Sequence, residues 1–146
     1  MKHPNKQIME KLIAYGPERP IVAAIVDSKG KILSMSSGKT YPLEKCTDPT
    51  AHSEVDAIRK ACKKLKTCFL KDCWLYSTFE PCPLCSSAAI WAKLKGIVYS
   101  NNPKYRGLED NWSFIKCKEV LKRGSYIHKV KLHENFLIEK TKHFFK

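Results

Sequence analysis

His52-Ser53-Glu54 and Pro81-Cys82-Pro83-Leu84-Cys85 are the two stretches whose residue types and spacing can do chemistry. One imidazole and two thiolates make a ligand set suited to zinc, one ion per chain. Three protein ligands leave the fourth tetrahedral position to water, as in catalytic rather than structural zinc sites. Zinc lowers the pKa of such a water to about 7. Glu54, two residues beyond the histidine, can take the water proton and deliver it to a substrate. Singly, the pieces are unspecific. Cys-x-x-Cys also serves redox pairs, and Cys46, Cys62, Cys68 or Cys73 could close a structural zinc knuckle. The specificity lies in the joint occurrence of His-x-Glu and Pro-Cys-x-x-Cys.

Both ligand groups fall where helices are expected to begin. Thr50 is the expected N-cap of a helix running to about Lys66, with Val55, Ile58, Cys62 and Leu65 on its apolar side and Arg59, Lys60, Lys63 and Lys64 on a solvated one. The apolar run Cys73 to Phe79 reads as a strand. Pro83 suits the first turn of the next helix, which Gly96 is expected to end. Helix N-termini favour thiolate over thiol.

The remaining chain supplies the frame. Ile8, Met9, Leu12 and Ile13 give a short amphipathic helix within residues 4 to 15, closed by Gly16 and Pro17. Ile21 to Val26 and Lys31 to Ser36 read as a hairpin across Asp27-Ser28-Lys29-Gly30, and Ile97 to Ser100 as a fourth strand. Residues 114 to 121 suggest a helix, Tyr126 to Leu132 an edge strand, and Glu134 to Lys146 a terminal helix with Phe136, Leu137 and Phe144 on its apolar side. Strands alternating with helices imply right-handed crossovers and parallel neighbours. The expected fold is a single domain over residues 1–146: a three-layer α/β/α sandwich with a mixed five-stranded sheet.

The two motifs and this element order resemble the cytidine deaminase superfamily in its purine branch, over about residues 20 to 100. Bacterial guanine deaminases and the adenosine deaminases that act on transfer RNA are both similar. The resemblance implies hydrolytic release of ammonia from an aminated purine-type base or nucleoside, with zinc on His52, Cys82 and Cys85, Glu54 as proton shuttle, and a homodimer. Pro83 between the cysteines, Trp91, and the segment Gly107-Leu108-Glu109-Asp110 with Ser113-Phe114-Ile115 resemble the guanine deaminase side. Tyr41, Ala51, Trp91 and Asp110 are accordingly candidate substrate contacts. Trp91 could stack on a planar base or pack in the core. In one respect the chain departs from the family, which places an asparagine on the loop before the zinc histidine. No asparagine stands between Asn5 and Asn101, and Thr40 or Tyr41 is near the expected place. Another purine, a nucleoside, a pterin or a triazine therefore stays open as substrate beside guanine. So do RNA editing on transfer RNA and a zinc-stabilised module without catalysis.

With 146 residues, 43% of them hydrophobic, the chain suits one core, and no apolar run approaches a membrane span. The polar N-terminus and an odd number of cysteines, seven, suggest a cytoplasmic protein with reduced thiols. A net charge of +13 fits either an RNA footprint or a lysine-rich solvated surface.

Overall fold

The computed structural model describes residues 1–40, 43–106 and 113–145. Its centre is a five-stranded mixed sheet of β1 (Ala23–Val26), β2 (Ile32–Ser36), β3 (Trp74–Phe79), β4 (Gly96–Asn101) and β5 (Lys131–His133), in the order β2-β1-β3-β4-β5. β1 runs antiparallel to both β2 and β3, while β3–β4 and β4–β5 are parallel. The hairpin between β1 and β2 is closed by Asp27, whose carboxylate accepts from the backbone of Lys29 and Lys31 at 2.9 Å each. Gly30 supplies the positive φ, +85°, that the turn needs. The expected parallel relation holds across the crossovers from β2 to β3, β3 to β4 and β4 to β5, and the last two join neighbours. The connection from β2 to β3 leapfrogs β1, which has slotted antiparallel between them.

Two apolar layers flank the sheet. On one face α1 (Lys6–Ile13), capped by the Asn5 side chain, packs Ile8, Met9 and Leu12 on Val22, Ala24, Trp74 and Val98. On the other face lie α2 (Ser53–Leu65), α3 (Pro83–Trp91) and α4 (Cys117–Arg123). There Ala57, Ala61, Ala89, Ile90 and Leu121 meet Ala23, Ile25, Leu75 and Ile97. Every residue of β1, β3 and β4 is buried, as expected of strands covered on both faces. Polar bonds seat α2 at the edge: Ser34 donates to the Ala57 carbonyl at 2.7 Å, and Ser36 to the Asp56 carboxylate at 2.6 Å. No helix of the described residues is long and apolar enough to cross a membrane.

Four local readings change. Thr50 does not cap α2; its hydroxyl and its N–H both bind the Asp48 carboxylate, at 2.6 and 2.9 Å, so the cap position passes to His52. Gly96 does not end α3, which stops at Trp91; it opens β4, against the Trp74 indole, where a Cβ would collide. The edge strand is three residues long, and residues 124–128 form turns instead. The tail is not an α-helix. Asn135 and Leu137 adopt left-handed φ of 56° and 58°, the Phe136 N–H bonds to the Tyr99 carbonyl at 2.9 Å, and a single 3-10 turn follows at Ile138–Lys140. The apolar residues at helical spacing pack all the same: Phe136 and Leu137 lie against the α1 layer, and Phe144 is buried.

The Trp74 ring also stacks with His3 and with His133, at centroid distances of 4.4 and 5.6 Å. Gly96→Ala is therefore expected to lower stability by about 1–3 kcal/mol, the usual cost of forcing an extra carbon into a packed site. The measure is a fall in the urea midpoint at unchanged m-value.

Candidate active site

The first turns of α2 and α3 meet at the carboxyl end of β3. His52 is the N-cap of α2 and Cys82 the N-cap of α3, with Pro83 in that helix's first turn and Cys85 one turn on. The three ligand atoms form a nearly equilateral triangle. Cys82 Sγ lies 3.3 Å and Cys85 Sγ 3.5 Å from His52 Nδ1, and the two sulfurs are 3.5 Å apart. Three ligands held at about 2.0–2.3 Å from one ion would be spaced much like this, so the residues fit a bound metal. The imidazole also hydrogen-bonds the Pro49 backbone, which fixes the ring's orientation.

The loop from β2 reaches this point through Gly38. Its φ is +78°, and a Cβ there would lie 3.0 Å from the Ser53 nitrogen and 3.2 Å from the Ala51 oxygen. The next residue, Lys39, donates its N–H to that Ala51 carbonyl at 2.8 Å. A glycine is needed both for the conformation and for the close approach.

Glu54 is 4% exposed and lies beside the triangle. Its Oε1 accepts from Ser53 at 2.6 Å and from Ser77 of β3 at 3.3 Å. Burial raises its pKa, and the Cys82 thiolate adds to the rise against the lowering from the Ser53 hydrogen bond. A carboxyl so placed holds a proton more readily than one in water. Cys82 moves the other way, down to about 4, because it accepts hydrogen bonds from Cys85 and His52. Cys85, the donor in that pair and itself buried, is pushed up. One sulfur thus ionises readily and the second resists, and a bound cation would make both thiolates tenable. The hydrogen bond to Cys82 raises His52.

A cavity opens from Glu54, His52 and Cys82 toward Thr40, Phe79, Glu80 and Ser113. Thr40 and Ser113 lie on the two segments singled out by the resemblance. Tyr41 and Asp110 lie outside the described residues. Ala51 is buried next to His52, and both its backbone groups are engaged within the loop: its N–H with Asp48, its carbonyl with Lys39. Trp91 is neither in the cavity nor in the core. It is 64% exposed at the far end of α3. Six residues beyond Cys85 carry it about 9 Å along the helix and most of two turns round. Glu80 and Ser77 were not anticipated. Glu80 is 7% exposed, accepts from the Cys117 N–H at 3.2 Å, and is raised by its burial. Its place directly before Pro81-Cys82 was the available signal. Ser77 had none, since a serine inside an apolar strand usually just satisfies its hydroxyl locally, as this one also does with the Phe79 carbonyl at 2.7 Å.

The model of one family, the MafB19-like deaminases, matches residues 5–142. The chain belongs to that family. The deaminase is 34% identical to a tRNA-specific adenosine deaminase of Aquifex aeolicus over 110 residues, 75% of this chain and 68% of that enzyme. It is 57% identical to a guanine deaminase of Bacillus subtilis over 53 residues, which span 36% of this chain and only 34% of that enzyme. In fold it is similar to a guanine deaminase from Nitrosomonas europaea, with TM-score 0.81 at 16% identity over 99% of this chain and 84% of that one. It is likewise similar to a structure from work on tRNA:A34 deaminases, with TM-score 0.76 at 21% identity over 95% and 99%. The expected cytidine deaminase-like sandwich and the superfamily resemblance are thus borne out.

Metal removal follows from the triangle. The purified deaminase is expected to hold one divalent ion per chain by elemental analysis. Stripping it with a chelator should lower the melting temperature, and restoring the ion to 100 times its Kd should return about 2.7 kcal/mol. Cys82→Ala and Cys85→Ala should each abolish stoichiometric binding.

Proposed function

We propose that this deaminase hydrolyses the exocyclic amino group of a purine-type base or nucleoside, with guanine as the first candidate, using one zinc ion held by His52, Cys82 and Cys85. The observation that carries the proposal is the buried Glu54 carboxyl set between that ligand triangle and the cavity. A bound zinc ion would supply Lewis acidity and a water of depressed pKa. Glu54 supplies the proton traffic. It takes one proton from the attacking water and passes it to the ring nitrogen beside the amino-bearing carbon as the carbon–oxygen bond forms. It then takes the second proton from the added hydroxyl and gives it to the amine, so that the carbon–nitrogen bond breaks, ammonia leaves, the oxygen becomes the carbonyl and the carboxylate returns to its starting state. Ser53 and Ser77 hold Oε1 in place throughout. The raised affinity of Glu54 for protons suits a group that must both accept and donate near neutral pH.

Glu80 and Thr40 face the same cavity and are the groups best placed to read the base. Where the family pattern has an asparagine amide, this wall offers the hydroxyls of Ser37 and Thr40. Pro83 and the 57% identity to the Bacillus subtilis guanine deaminase support a free base. A second reading, adenosine in transfer RNA, is supported by the broader match to the Aquifex aeolicus enzyme. A homodimer is proposed on the family resemblance. Leu84 and Trp91, seven residues apart and so on one stripe of α3, are its exposed apolar candidates.

The zinc-loaded protein is expected to release ammonia from guanine in a panel that also holds adenosine, other amino-purines, pterins, triazines and transfer RNA. Glu54→Gln should lose about 10²–10⁴-fold in rate with metal content unchanged. Release from transfer RNA alone would replace the guanine assignment with RNA editing. A Glu54→Gln protein as active as the parent would end the deaminase proposal. Trp91→Glu should shift the protein toward monomer in sedimentation velocity.

A further inference from the structure

A broad concavity lies at the other end of the sheet. β3, β4 and β5 all begin there, and α3 points its C-terminus there, whereas the cysteines sit past the far end of β3. The six residues of β3 set the two ends roughly 20 Å apart. The concavity holds about 940 Å³. Leu121, Val130 and Leu132 form an apolar floor, and Phe69, 51% exposed, stands at the rim.

Its charge is one-sided. Lys71 comes from the turn before β3, Lys93 and Lys95 from the turn before β4. Lys118 and Lys122 come from α4, Lys129 from the approach to β5 and Lys131 from its first position. The only acid on the lining is Asp72. Three lysines elsewhere on the surface are paired: Lys60 with Asp56, Lys140 with Glu10 and Lys142 with Glu139. None of the seven groove lysines pairs with a carboxylate among the described residues. The basic charge of the chain is spread over the surface, and other lysines among the described residues also lack an ion pair. An unneutralised share of it is gathered in one hollow.

We propose that this groove binds the phosphodiester backbone of single-stranded nucleic acid, at a site separate from the catalytic cavity. A run of phosphates is the polyanion that seven convergent ammonium groups match, and the release of its counterions drives the binding. An exposed aromatic at the rim of an apolar-floored basic groove is the arrangement on which unpaired bases stack. A second copy of this chain does not fit. Two-fold pairing of the patch with itself would bring like charges together. A flat bilayer would not reach into a hollow. The inference goes beyond the proposed deamination and does not depend on it.

The test is fluorescence anisotropy of a short labelled RNA of mixed sequence with the full-length, metal-loaded protein. Binding should weaken about a hundredfold between 50 and 200 mM salt if some five phosphates are engaged. The exposed lysines Lys71, Lys122 and Lys129 lie outside the catalytic cavity. Their combined replacement by glutamate should weaken binding by about tenfold or more, with the circular dichroism melt, metal content and any deamination of a small base unchanged. Phe69→Ala alone should weaken it by several-fold through lost stacking. Glu54→Gln should bind RNA like the parent, so failure of the chemistry and failure of the groove read out separately. Wild-type affinity in the triple variant would overturn the proposal. Competition by polyglutamate as effective as that by unlabelled RNA would overturn it too, in favour of an acidic polypeptide.

Discussion

The first turn of α2 comes close enough to the carboxyl end of β3 for the Ser77 hydroxyl to reach Glu54 at 3.3 Å. That approach is the constraint the rest of the site inherits. Small residues stand among the larger ones on the packed faces: Ala57 and Ala61 on α2, Ala23 on β1, Ala89 on α3. The approach drives the carboxyl into a place where only hydroxyls and sulfurs can partner it. It also brings the N-terminal ends of two helices to one point, where their partial positive charge supports an ionised Cys82. A larger side chain along this seam would push α2 outward and take His52 with it, opening the triangle.

Much of this was legible in the chain because the chemistry is local. His52 and Glu54 lie within one turn, as do Cys82 and Cys85, so each half of the site is carried by a few consecutive residues. The strands were readable for a similar reason: β1, β3 and β4 are buried on both faces and so are written as unbroken apolar runs. What was not legible depends on distant partners. Nothing near Gly96 says that its task is to clear the Trp74 ring. The spacing of Phe136, Leu137 and Phe144 imitates a helix, yet a bond to Tyr99, far back in the chain, sets the backbone there. The Thr50 hydroxyl is drawn to the Asp48 carboxylate two residues earlier instead of capping α2, a competition that composition alone does not rank.

The molecule also separates its charge in space. Around the cavity, Glu54 and Glu80 are buried acids held by hydroxyl and backbone donors. At the opposite end, seven lysines converge with Asp72 as the one acid on the described lining. α3 joins the two regions, with Cys82 at one end and the Lys93 turn, in left-handed conformation at φ 59°, at the other.

The ligand set is divided between two helices. Cys82 and Cys85 are three residues apart on one of them, and His52 stands thirty residues earlier at the start of the other. An ion held by all three would clasp α2 to α3 across segments far apart in the chain, so that one bond set would join two crossovers of the sheet.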